Sequence, residues 1–197
     1  MRPLALVSAV VCAIACAASS EARTLASAAA FKNVRPRDAA AETFLRFGSE
    51  KSAEFRAIVR ELESSNVIVY VDVREDGRQP VSGALNYLSE VGGIRWLRAV
   101  VHTGSASRSR TYTDIVRLTA ILGHELRHAL EASDADTLKD VGEFERYFRR
   151  IGVDEGPDLL DTEAARVTGT AVERELRGWS PPKAAPAALT AVRRQET

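Results

Sequence analysis

The stretch that most constrains this chain is Gly123-His124-Glu125-Leu126-Arg127-His128-Ala129-Leu130-Glu131, because it sets two histidines four positions apart inside a run with helical periodicity. On a helix of about 3.6 residues per turn, positions i and i+4 lie one above the other, so both imidazoles can point at a single ion. Glu125 is rotated about 100° round the axis from His124. Its carboxylate can therefore reach a water on that ion without taking a coordination position, which is the geometry of a general base. Ile115, Val116, Leu118, Ile121, Leu122, Leu126, Ala129 and Leu130 make residues 112–131 apolar on most sides, the pattern of a long helix inside a core. The chain has 3 histidines in 197 residues, so spending two here makes this helix the element the domain is built around. The bland alternative is a buried helix whose two histidines are merely hydrogen-bonded.

Zinc in an open site takes three protein ligands and keeps a fourth position for water, so two histidines need a partner. His102, the remaining histidine, falls at the end of a strand-like run. Asp134 follows His128 closely, but Glu131 stands where a sharp turn back to the metal would need a residue tolerant of positive φ. The reading favours Glu163, near the start of a later helix. Its neighbours Ala164 and Ala165 are small enough for two helices to approach closely, and its negative charge eases burial of the ion. Asp154, Glu155, Asp158 and Asp161 stay open, with Asp161 looking more like a helix cap. Glu163 has an ordinary explanation too, as a first-turn acid favoured by the helix dipole.

Read from its beginning, the chain opens with Met1-Arg2, an apolar run over residues 4–18 and small residues at Ala15-Cys16-Ala17, the pattern of a secretory signal. Residues 1–22 are read as that signal, which implies a secreted or periplasmic protein. Lipidation is disfavoured, because Ala13 stands where a large aliphatic residue would precede a lipidated Cys16. Both cysteines, Cys12 and Cys16, lie inside this segment, so the cleaved chain would have neither a disulfide nor a thiol ligand. Residues 23–37 read as a linker or flexible N-terminus, 38–178 as one domain and 179–197 as a disordered tail. The 27 basic and 27 acidic residues cancel. That balance argues against a nucleic-acid partner, and nothing beyond the signal suggests a membrane.

Within the domain, helices are expected over residues 38–47 and 49–64. Val67-Ile68-Val69-Tyr70-Val71-Asp72-Val73 reads as a central strand covered on both faces. Residues 75–80 are turn chemistry. Two strand-like runs, 83–91 and 94–102, flank Gly92-Gly93, a strong hairpin signal. A polar loop over 103–110 leads to the motif helix, with Thr111 or Thr113 as its cap. Further helices are expected over 137–151 and from Asp158 or Asp161 to Arg177. The fold class is α+β: a small mixed or antiparallel sheet of about three strands packed on the motif helix, with more helices behind it.

This pattern resembles the zincin metallopeptidases, and within them the gluzincin arrangement of His-Glu-x-x-His on one helix and a glutamate on a later one. The resemblance covers roughly residues 111–170, and only its five-residue core is well defined. It implies Zn²⁺ held by His124, His128 and Glu163, Glu125 as general base, and a peptide or protein substrate paired along an exposed edge strand. The 83–102 hairpin is the candidate edge. Where gluzincins often carry an acid that steadies a motif histidine, this chain has Arg166 and Val167, which leaves Asp161, Glu131 and Asp134 as candidates. Tyr112, Tyr147, His102 and Arg127 are candidate donors to an oxyanion. Two rival readings stand beside the peptidase: a non-catalytic metal-binding or structural domain, and a hydrolase of amides other than peptides.

Overall fold

A computed structural model of the chain describes residues 31–75, 83–103, 111–135, 137–153 and 161–179. The expected signal, most of the expected tail, Asp154, Glu155 and Asp158 lie outside the described residues. Four strands form one sheet: β1 (Val34–Pro36), β2 (Val67–Arg74), β3 (Gly83–Val91) and β4 (Ile94–His102). Among the described residues five helices accompany it: α1 (Ala39–Lys51), α2 (Ala53–Glu63), α3 (Tyr112–Asp134), α4 (Val141–Ile151) and α5 (Glu163–Gly178). The spatial order is β1-β2-β4-β3, with β1, β2 and β4 parallel and β3 antiparallel to β4. The α+β class holds, with four strands where about three were expected.

The additional strand is β1. Three residues, Val34-Arg35-Pro36, are too few to show a period, and they lie in the stretch read as linker. Pairing with Val69, Tyr70 and Val71 of β2 makes them a strand, a non-local cause that local sequence does not display. The glycines of the β3–β4 turn have φ of 62° and 81°, the left-handed backbone that tight hairpins require. β3 is thus left as an edge, with β4 between it and β2.

The helices pack on one face of the sheet, where Val67, Val69, Val71, Leu97, Ala99 and Val101 are fully buried. The second cover expected over β2 is not a layer of helices. On the opposite face Tyr70 stacks on Trp96 with ring centroids 5.9 Å apart, and Arg37 and Arg35 lie over the two rings. α3 is the hub beneath the sheet, touching β2, β3 and β4 on one side and α1, α2 and α5 on the other. This explains why a helix with so little polar surface is stable: nearly every side finds an apolar neighbour.

The caps account for the helix boundaries. Thr111 and Asp114 form a reciprocal capping box at the start of α3. Ser52 ends α1 and caps α2 through Phe55 N, which puts the break between the two expected helices at residue 52 rather than at residue 48. Arg95, a buried arginine on β4, donates through Nη1 to Ala132 O at 2.7 Å and through Nη2 to Ala135 O at 2.5 Å, closing the C-terminus of α3. Trp179, placed in the expected tail, caps α5 and packs edge-on to Phe47. Among the described residues no helix is long and apolar enough to cross a membrane.

Glu175 links α5 to α2, accepting from Ser52 Oγ at 2.6 Å and from Glu54 N at 3.2 Å. Burial pushes its pKa up, but the Ser52 hydroxyl and the first amides of α2 outweigh that and hold it below the ordinary carboxylate value. A lowered folded pKa gives stability that is full above the unfolded value and disappears as pH falls through the folded one. Glu175→Gln is therefore expected to melt lower than wild type near neutral pH, with the gap closing as pH falls below about 4. Melting curves across that range check it. A gap independent of pH would show that the carboxylate charge is not what matters.

Candidate metal centre

α3 presents His124, Glu125 and His128 as its periodicity requires. Their position depends on two close approaches between α3 and α5. A Cβ added to Gly169 of α5 would lie 3.3 Å from His124 Cβ, and one on Gly123 of α3 would lie 3.1 Å from Val172 Cγ2. The small residues expected at Ala164 and Ala165 are in place, with Ala165 fully buried, but Gly169 sets the spacing beside the first histidine.

The third group is Asp161. His124 Nε2 lies 3.2 Å from Asp161 Oδ1, His128 Nε2 lies 3.5 Å from the same oxygen, and the two imidazole nitrogens are 3.1 Å apart. The structure does not bring Glu163, favoured from the sequence, to the histidines; it is exposed in the first turn of α5. The reason lies in the cap. Thr162, rather than Asp161, caps α5, its Oγ1 accepting from Ala165 N at 3.1 Å. That leaves the preceding carboxylate free to turn toward α3 while Glu163 points out. Asp134 is exposed at the end of α3, and His102 ends β4 beside Arg74. Neither joins the cluster.

The acid that steadies a motif histidine is Glu131, one of the three candidates. Its Oε2 lies 2.9 Å from His128 Nδ1, and its Oε1 accepts from Thr162 Oγ1 at 2.8 Å. With a carboxylate on Nδ1, the neutral His128 ring carries its proton there and offers the Nε2 lone pair to the cluster. Thr162 thus joins the cap of α5 to the orientation of His128. Asp161 is steadied in turn by Arg166, whose Nε donates to Oδ2 at 2.8 Å.

The electrostatics of the cluster act in opposite directions on its two histidines. Burial alone would lower the pKa of His128, but its bonds to Asp161 and Glu131 win and raise it to about 9. Burial and the neighbouring His128 push His124 down. Asp161 is held well below the usual carboxylate range: burial opposes this, and the bonds from His128 and Arg166 outweigh it. Glu125 is 5% exposed. Burial pushes its pKa up to about 7, partly offset by His128 and reinforced by Asp161. Gly83 on the edge strand is what leaves room for it, since a Cβ there would come within contact of Glu125 Oε1 and 2.7 Å of Ile121 Cγ2.

The donor set fits a divalent metal. Tetrahedral bonds of about 2.0–2.1 Å to nitrogen and oxygen require ligand atoms about 3.3 Å apart, and the three edges here are 3.1, 3.2 and 3.5 Å. The triangle faces a cleft of about 750 Å³ lined by β3, α3, α4 and α5, leaving a fourth direction open. Gly83, Ala84 and Leu85 of the edge strand form one wall, as the hairpin expectation required. The candidate oxyanion donors do not line this cleft. Tyr112 donates to Leu176 O and Trp179 O, Tyr147 donates to Glu131 O, and Arg127 lies 4.0 Å from Glu131. Among the described residues the arginines that do line it are Arg117 and Arg166.

Comparison with family models, with curated proteins and with solved structures finds no match to this chain. The fold is nonetheless a minimal zincin-like α+β arrangement, with a small mixed sheet over a helix that carries the motif. Its His124-Glu125-x-x-His128 plus Asp161 cluster resembles an HExxH zinc site at the superfamily level. An aspartate in place of the gluzincin glutamate is the departure from the pattern the sequence suggested.

Proposed function

We propose that this chain is a zinc-dependent hydrolase that cleaves peptide bonds, with His124, His128 and Asp161 as metal ligands and Glu125 as general base. The observation that carries the reading is the near-equilateral triangle of two imidazole nitrogens and one carboxylate oxygen, open to a cleft beside a buried glutamate. When bound there, Zn²⁺ supplies Lewis acidity, polarising a carbonyl and acidifying water. Glu125, next to the first histidine and walled off by Gly83 and Ile121, takes the proton of the attacking water and returns it to the leaving amine. Glu131 and Thr162 hold His128 in the tautomer that offers Nε2, and Arg166 holds Asp161 in place. The edge strand at Gly83–Leu85 is available to align an extended peptide.

Three features weigh against a purely structural site. Such sites are normally closed by four protein ligands, whereas this cluster has three, a cleft on its open side and beside it the buried carboxylate of Glu125. Hydrolysis of a non-peptide amide shares every residue role given above, and only substrate trials separate it from proteolysis.

The test is the purified full chain with zinc, assayed on casein and peptide libraries beside Glu125→Gln. Loss of a general base lowers turnover by about 10²–10⁴-fold, with zinc content unchanged. Full activity in Glu125→Gln would remove the base assignment, and failure of wild type to bind zinc would remove the proposal. We also propose export through the apolar segment at residues 4–18. The mass of protein recovered outside the cytoplasm should correspond to a chain starting near residue 23, and an uncut cytoplasmic chain would refute this.

A further inference from the structure

The two ends of the cleft differ in chemistry. Arg117, Ile121, His124 and His128 follow one another at spacings of four, three and four along α3, so they form one stripe of the cleft floor. Seven residues turn a helix through about 700°, which puts Arg117 within roughly 20° of the direction of His124 and about 10.5 Å from it along the axis. Beyond His128 the lining is aromatic. Phe148 packs edge-on to the His128 ring at 5.3 Å and is backed by Phe144, with Leu85 across from them on the edge strand. Beyond His124 it ends at a guanidinium.

Among the described residues that guanidinium is the cleft-lining cation with no carboxylate at ion-pair distance, Asp114 acting on it only through space. Arg117 is exposed and makes no ion pair among the described residues. The acids near it are otherwise engaged. Glu173 faces the cleft from α5 but accepts Arg177 Nε at 3.0 Å. Asp114 takes the backbone N–H and hydroxyl of Thr111 in the capping box. The other cleft arginine, Arg166, is bound to Asp161.

We propose that Arg117 recognises a substrate carboxylate about three residues from the scissile bond, which makes the substrates acidic on one side of the cleavage point and apolar on the other. The distance follows from the 10.5 Å offset and the roughly 3.3 Å rise of an extended peptide. The inference rests on the peptidase reading. An Asp or Glu side chain and a free chain terminus offer the same group, and the assay separates them.

The experiment uses fluorescent peptides carrying Asp, Ala or Lys two to four positions to either side of the central bond, each with a free or an amidated C-terminus. Cleavage is measured with the zinc-loaded full chain and its Arg117→Glu variant. Binding is measured with Glu125→Gln and with the Glu125→Gln, Arg117→Glu double variant. Peptides with a carboxylate at the matching distance should be bound and cleaved about 2- to 5-fold better than their Ala counterparts at low salt, with the difference shrinking as salt rises. Arg117→Glu should turn the preference toward Lys. Preference that survives amidation identifies a side-chain acid, and preference lost on amidation identifies the terminus. Equal handling of Asp, Ala and Lys by wild type, or an acid preference that persists in Arg117→Glu, overturns the inference while leaving the peptidase reading intact. Arg117-dependent binding of acidic peptides without any cleavage has the opposite meaning. Neither binding nor cleavage of any peptide overturns both.

Discussion

Replacing Asp161 with alanine is expected to weaken zinc binding on the order of 10²-fold, while Glu163→Ala leaves it unchanged. A four-ligand zinc site in a small protein is worth about 10–16 kcal/mol, so one ligand carries roughly 3 kcal/mol, or about two powers of ten in affinity. Asp161 sits 3.2 Å and 3.5 Å from the two imidazole nitrogens, and no other acid among the described residues joins that cluster. Glu163 is two positions on and faces solvent. Calorimetric zinc titration of the two variants beside wild type measures both. Equal affinity in wild type and Asp161→Ala would move the third ligand elsewhere, and a loss confined to Glu163→Ala would restore the glutamate that the gluzincin pattern suggests.

The second large effect concerns the far end of the same helix. Arg95→Met keeps the stem that fills the core and removes the guanidinium that serves Ala132 O, Ser133 O and Ala135 O. Unsatisfied buried carbonyls cost about 1–3 kcal/mol each. Part of that is offset because the variant no longer has to bury a charge. The net expectation is a loss of about 3 kcal/mol, which for a domain of this size lowers the melting temperature by roughly 6–12 °C. Arg98→Met on the opposite face of the same strand, where the side chain is half-buried beside Asp72, should cost under about 1 kcal/mol. Equal melting points for Arg95→Met and wild type would mean that water satisfies the end of α3.

These two substitutions mark what the sequence could and could not show. α3 was legible because its period is long and nearly all its sides are apolar. The hairpin was legible because Gly92-Gly93 has few other uses. What escaped depends on partners distant in the chain. Val34–Pro36 becomes a strand only because β2 lies beside it. Arg95 reads as a polar residue in a strand, and nothing local says that a helix ends above it.

The third member of the cluster escapes the sequence for a subtler reason. Asp161 and Thr162 are both good cap residues, and a helix start takes one of them. Asp161 looks like the cap, and the small neighbours Ala164 and Ala165 then point to Glu163 as the acid that can approach α3. The hydroxyl caps instead, which releases the carboxylate one residue earlier. The signal was the presence of two cap-forming residues in succession, where one is surplus. Glu131 was named among the residues that steady a motif histidine, and its place three positions after His128 on the same helix face is what lets it do so.

The proposed open zinc centre of His124, His128 and Asp161, served by Glu125, has a direct spectroscopic signature. X-ray absorption at the zinc edge, recorded on the zinc-loaded full chain, tests it most directly. One zinc per chain is expected, bound by two imidazole nitrogens and one carboxylate oxygen at about 2.0–2.2 Å, with water completing the shell. A chain that takes up no stoichiometric zinc, or a shell closed by four protein ligands, would contradict it.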